Sequence, residues 1–149
     1  MDDSDLIALY SGRILALAAA IPRTGRLEAP SGSAKRRSPL CGSTVTVDVV
    51  VKDGAVVDFA QDVKACALGQ AASAIVGANV IGRTRAEIER ARDELKAMLK
   101  SDGPTPSPPF EELEVLRPAR DFKNRHASIL LCLDATAEAI ANAEKADCA

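Results

Sequence analysis

Two cysteines bracket a hydrophobic β-hairpin in this chain. Cys41 lies in Pro39-Leu40-Cys41-Gly42-Ser43, just ahead of the alternating run Thr44 to Val51. Cys66 lies in Lys64-Ala65-Cys66-Ala67-Leu68-Gly69, just after the returning strand. A hairpin folds its two ends together, so both thiols are expected at one edge of the sheet. Convergent thiolates suit zinc, an iron–sulfur cluster or sulfur transfer, and are poor ligands for magnesium or calcium. Cys66 should open a helix, where the positive end of the macrodipole favours thiolate. Gly42 lets the backbone beside Cys41 come close to a ligand. Their spacing is no zinc-finger signature, and each cysteine alone also reads as an inert packing residue.

His126 is the only histidine, in Asn124-Arg125-His126-Ala127 near the start of the last helix. It is a candidate nitrogen ligand, although a lone histidine is more often a packing residue. Cys132 is six positions on, roughly 120° around the helix, so it cannot face the same site. Cys132 is therefore expected in the core and Cys148 in a fraying tail.

The elements that must position these residues follow from pattern. Leu6 to Ile21 reads as an apolar-faced helix stopped by Pro22. An edge strand is expected near Ser33–Arg37, whose Lys35-Arg36-Arg37 cluster reads as a solvated face or a docking surface. Val45, Val47, Val49 and Val51 share one strand face, and Asp53-Gly54 supplies the turn. Val57, Phe59 and Val63 should continue the buried face. Thr46, Asp48, Asp58 and Asp62 should face water. A one-sided sheet needs helices over it. These are expected over about Cys66–Ala78, from the capping box Thr84-Arg85-Ala86-Glu87 to before Gly103, and over about Asp121–Lys145. A short helical turn is expected over Phe110–Leu116. The fold class is α+β: a small three-stranded antiparallel sheet packed on one face by helices, one domain over residues 1–149.

Bulk properties exclude several roles. A net charge of −2 gives no general pull toward nucleic acid, and no apolar run is long enough for a membrane span. The acidic start Met1-Asp2-Asp3-Ser4-Asp5 is unlike a secretory signal. Four cysteines in 149 residues point to reduced thiols and a cytoplasmic setting.

These residues together resemble the NifU/IscU-type iron–sulfur cluster assembly scaffolds, including the SufU-type proteins. The resemblance covers most of the chain. It rests on Leu9-Tyr10, on Leu40-Cys41-Gly42 before the hairpin, and on Val63 to Cys66 before a small-residue helix. Arg125-His126 with Ser128-Ile129-Leu130 completes it. It implies a non-enzymatic scaffold or carrier that holds iron or a nascent cluster on Cys41, Cys66 and His126. Its partners would be a cysteine desulfurase and recipient iron–sulfur proteins. The chain departs from the family pattern twice. Ser43 stands where the family has aspartate, and Ala127 stands where it has the third cysteine. Water, a small thiol or a second subunit of a homodimer could complete the ligand set. Two other readings stay open: a Zn2+-bearing sulfur acceptor, and a metal-free adaptor that keeps the fold.

Overall fold

A short helix, α1, spans Gly12–Ala18, with the Ser11 hydroxyl accepting from the Ile14 amide. The computed structural model describes residues 11–40 and 42–148, with side chains placed through residue 146. The predicted Leu6–Ile21 helix thus begins outside the described residues and ends earlier than expected, at Ala18.

Strands β1 (Gly32–Arg37), β2 (Thr44–Lys52) and β3 (Ala55–Lys64) form one antiparallel sheet in the order β1-β2-β3. Asp53 (φ 54°) and Gly54 (φ 79°) make the hairpin turn with positive φ at both central positions, which matches the strand twist. Val45, Val47, Val49 and Val51 are all buried on one face, as their alternation predicts.

The return strand departs from simple alternation. Val51 pairs with Val56, but Val50 pairs with Asp58, so Val57 is an extra residue in a β-bulge. The bulge switches the phase of the strand. Val56 and Phe59 both reach the core, while Val57 is 45% exposed, a correction to its expected burial. Phe59 and the half-buried Val63 lie on the predicted face.

Asp48 is a second correction. It faces away from the valines yet is completely buried, not solvated. The Arg26 guanidinium donates to both its oxygens, at 2.7 and 3.0 Å, and the Leu27 amide and Ser33 hydroxyl also donate to it. The segment carrying Arg26 and Leu27 covers that part of the sheet. Asp58 and Asp62 are exposed as expected, and Thr46 is half-buried.

Three longer helices cover the valine face. Helix α2 (Ala67–Asn79) packs on α1 and β3, α4 (His126–Cys148) lies across β1 and β2, and α3 (Arg85–Ser101) packs outside α4. The capping box is formed in full: Thr84 accepts from the Glu87 amide, and Glu87 accepts from the Thr84 amide. Ile88, Ala91, Leu95, Met98 and Leu99 make its buried stripe.

Between α3 and α4 the chain winds as a 3-10 helix over Glu111–Asp121, longer than the short turn expected, and then over Lys123–Arg125. Helix α4 therefore starts later than predicted, at His126. It also runs past Lys145 to Cys148, so this part of the expected fraying tail is helical. Gly32 is where β1 meets α4: a Cβ there would collide with the Ala139 carbonyl and the Ala143 amide. Among the described residues no helix is long and apolar enough to cross a membrane.

Candidate metal and thiol site

Three elements meet at the hairpin's open end: the β1–β2 loop, the start of α2 and the first turn of α4. Sequence explains each. Pro39 and Gly42 break the strands, and the loop closes through Ser38 N–H to the Ser43 carbonyl and Gly42 N–H to the Ser38 carbonyl. Gly42 sits at φ 69°, where glycine is favoured. Cys41 itself lies outside the described residues, and so does its separation from Cys66. Leu40, beside it, is 76% exposed.

Cys66 is the N-cap of α2, in extended conformation at φ −67°, ψ 168°. Its half-buried sulfur lies 3.5 Å from the Ser128 hydroxyl, which is 3.0 Å from the Ser43 hydroxyl. A buried chain of Ser43, Ser128 and Cys66 thus ties all three elements together. Burial pushes the Cys66 thiol up, but opposing influences win and hold it below the ordinary value. These are the Ser128 hydrogen bond, the Gly69 and Leu68 amides, and the positive charge of Arg125. The sulfur makes no cap hydrogen bond of regular geometry with those amides, so Ser128 is its defined partner. This is the environment of a reactive or ligating thiol.

His126 is the first residue of α4 and is 97% buried, with 3% of its surface exposed. Its Nε2 lies 3.0 Å from both the Ala119 and Arg120 carbonyls. Carbonyls only accept, so these contacts assign the proton to Nε2. In the neutral ring that leaves the lone pair on Nδ1, which is buried without a hydrogen-bond partner. Metal-bound histidines characteristically donate the second ring N–H to a carbonyl or carboxylate. His126 and Ala127 line one cavity together with Ser38, Pro39 and Leu40 of the β1–β2 loop. The histidine thus stands on the loop's side of α4, at the same end of the sheet as Cys66. Among the described residues no three of His, Cys, Asp and Glu converge in a metal-binding group.

Cys132 is in the core, as predicted. Its thiol donates to Gln61 at 3.3 Å, and burial pushes its pKa up to about 11. Cys148 closes the described part of α4. Sequence reasoning assigned no role to Ser128 or Gly69. Ser128 stands at the head of the apolar run Ile129–Leu133, a polar exception that marks it. Gly69 admits Ser128 closely: a Cβ there would lie 2.7 Å from the Ser128 oxygen.

No family model matches the chain, and no curated protein matches it. Solved structures do. A nitrogen-fixing NifU-like protein (N-terminal) from Brucella abortus is 47% identical over 95% of this chain and 98% of its own, with a TM-score of 0.92. A putative iron–sulfur cluster assembly scaffold protein for the SUF system from Fervidobacterium islandicum shares the fold at 18% identity. The match covers 90% of this chain and 98% of that one, with a TM-score of 0.78. A hypothetical protein also shares it, at 21% identity over 91% of this chain and a TM-score of 0.80. The first of these matches, near half identical across almost the entire chain, places the protein in the family of NifU-like N-terminal domains, within the NifU/IscU-type scaffolds.

Proposed function

We propose that this chain is an iron–sulfur cluster assembly scaffold, a single cytoplasmic domain over residues 1–149 that receives sulfur and iron and passes on the cluster. Cys41, Cys66 and His126 hold the cargo. The observation that carries this reading, beside family membership, is the Cys66 thiol, held toward its thiolate at the head of α2. His126 supports it with a buried, unpartnered Nδ1 and an Nε2–H anchored on backbone.

Sulfur delivery follows from thiolate chemistry. The Cys66 thiolate attacks the outer sulfur of a desulfurase persulfide, forming a Cys66 persulfide and releasing the desulfurase thiolate. The sulfane sulfur has then moved with no net oxidation. The role is assembly and transfer to recipient proteins, not turnover of a small substrate.

Anaerobic reconstitution with iron, cysteine and a desulfurase tests this. Thiolate-to-iron charge-transfer absorption is expected, and Cys41→Ser or Cys66→Ser should remove it. A spectrum unchanged in both variants would sink the reading. The second reading, a Zn2+-bearing sulfur acceptor, draws on Ser43 and Ala127, which leave two thiolates and one imidazole. That set suits an open zinc site rather than a closed four-donor one. Persulfide on Cys66 without any chromophore, in protein that carries zinc, would favour it.

A further inference from the structure

A cavity of about 390 Å3 opens beside the thiol site. Its rim carries Arg36 and Arg37 from β1, Lys96 and Lys100 from α3, and Lys123 from the short 3-10 helix, with His126 in its wall. A smaller cavity of about 290 Å3 shares Lys100, Lys123 and His126 and adds Arg120. The chain as a whole is acidic, with net charge −2, so this clustering of cations is local.

Most of these cations are not neutralised. Among the described residues, Arg37, Lys96, Lys100 and Lys123 have no carboxylate within the 4.0 Å of an ion pair. Arg36 has Glu138 at 3.6 Å, and Arg120 has Asp102 at 2.6 Å. The one acid in the wall is Asp134, with Arg92 at 4.0 Å. Like charges converging on one cavity cost stability and focus attraction on an anion. The buried His126 adds a ring nitrogen with no partner to the same wall.

Size and layout narrow the ligand. About 390 Å3 falls in the range of small-molecule sites and far exceeds one inorganic anion. The cations come from three separate elements around the rim instead of meeting at one point. That layout suits charges at separated ends of a molecule. We propose that this cavity binds a small polycarboxylate, its carboxylates held by the α3 lysines, Lys123 and the β1 arginines. Two sources share that chemistry. A dicarboxylate thiol such as glutathione would bring a sulfur ligand beside Cys66. A tricarboxylate such as citrate would bring chelated iron, which as an anionic complex is attracted where bare Fe2+ is repelled. Either use deepens the scaffold reading and rests on it, but binding itself does not.

Calorimetric titration of the metal-free full chain with citrate and with glutathione tests the site without any cluster. Saturable binding of either ligand supports the proposal, and the stronger one identifies the source. Affinity should weaken with ionic strength. It should fall about tenfold or more in the Lys100→Glu/Lys123→Glu variant, since hydrogen bonds to charged groups are the strong ones. Both lysines are exposed, so the fold should tolerate the change. Arg37→Glu/Lys96→Glu provides a second pair, and Lys52→Glu on the hairpin should leave affinity unchanged. Absence of binding by both ligands, equal binding by both double variants, or equally tight binding of inorganic phosphate would overturn the proposal. Failed reconstitution with intact ligand binding would instead count against the scaffold reading alone.

Discussion

Cys66 and Cys132 show how one residue type acquires two chemistries. Cys132 is sealed among Gln61 and the α4 core, and its thiol is pushed up to about 11. Cys66 also feels burial, but Ser128, helix amides and Arg125 overturn it. If Ser128 is the decisive partner, Ser128→Ala should move the Cys66 thiol back up. A hydrogen bond to a charged group contributes about 1.5 kcal/mol or more, so the thiolate fraction at pH 7 should fall several-fold, up to about tenfold. The pH profile of Cys66 alkylation, followed by peptide mass spectrometry, measures this. An unchanged profile would mean that the helix amides and Arg125 alone set the thiol. Cys132 should stay unlabelled in both proteins.

At the scale of elements, the site depends on how closely α2 approaches α4. Gly69 sets that distance, because a Cβ would lie 2.7 Å from Ser128 Oγ and 2.9 Å from Ala65 Cβ. Gly69→Ala should therefore part the two helices near Cys66. Overpacking of this kind costs about 1–3 kcal/mol, so a lowered midpoint in denaturant is expected. Reconstituted cluster should also be shorter-lived than in wild type. Ser73→Ala, a substitution deeper in α2, serves as the control for instability alone. If Gly69→Ala loses stability but keeps both the Cys66 pH profile and the cluster lifetime, the close approach is packing and nothing more. The hairpin shows the opposite kind of control. Its turn was plain in Asp53-Gly54, but the bulge at Val57 was not, because one unpaired residue leaves no mark on a run of valines.

At the scale of the whole molecule, Asp48 fastens the segment around Arg26 onto the sheet's outer face. The Arg26 hydrogen bonds hold its carboxyl below the usual range against the opposing push of burial, with help from Ser33 and the Leu27 amide. A depressed acid stabilises the fold fully above its unfolded value, near pH 4, and the gain is lost as pH falls through the lower folded value. Asp48→Asn should thus cost stability at neutral pH, by about 2 kcal/mol or more, since it leaves buried donors poorly matched. The difference from wild type should shrink as pH drops below about 4. Urea titrations of both proteins across that range would show it, and a difference constant with pH would exclude ionised Asp48 as the source.

The sequence by itself determined the sheet, the capping box, the valine face and the core position of Cys132. Each is fixed by local pattern: period-two alternation, cap chemistry, or the angle between two residues on one helix. It also pointed to Cys66 and His126, whose types limit what they can do. Tertiary structure decided the rest. Asp48 looked solvated because its neighbours in sequence are, and only a segment about 20 residues away buries it. The Ser43–Ser128–Cys66 chain spans separations of 85 and 62 residues, so no window of sequence contains it. The cationic rim likewise gathers side chains from β1, α3 and the turn before α4. Local pattern fixes which face a residue takes on its own element. What that face meets is set by packing between elements far apart in the chain.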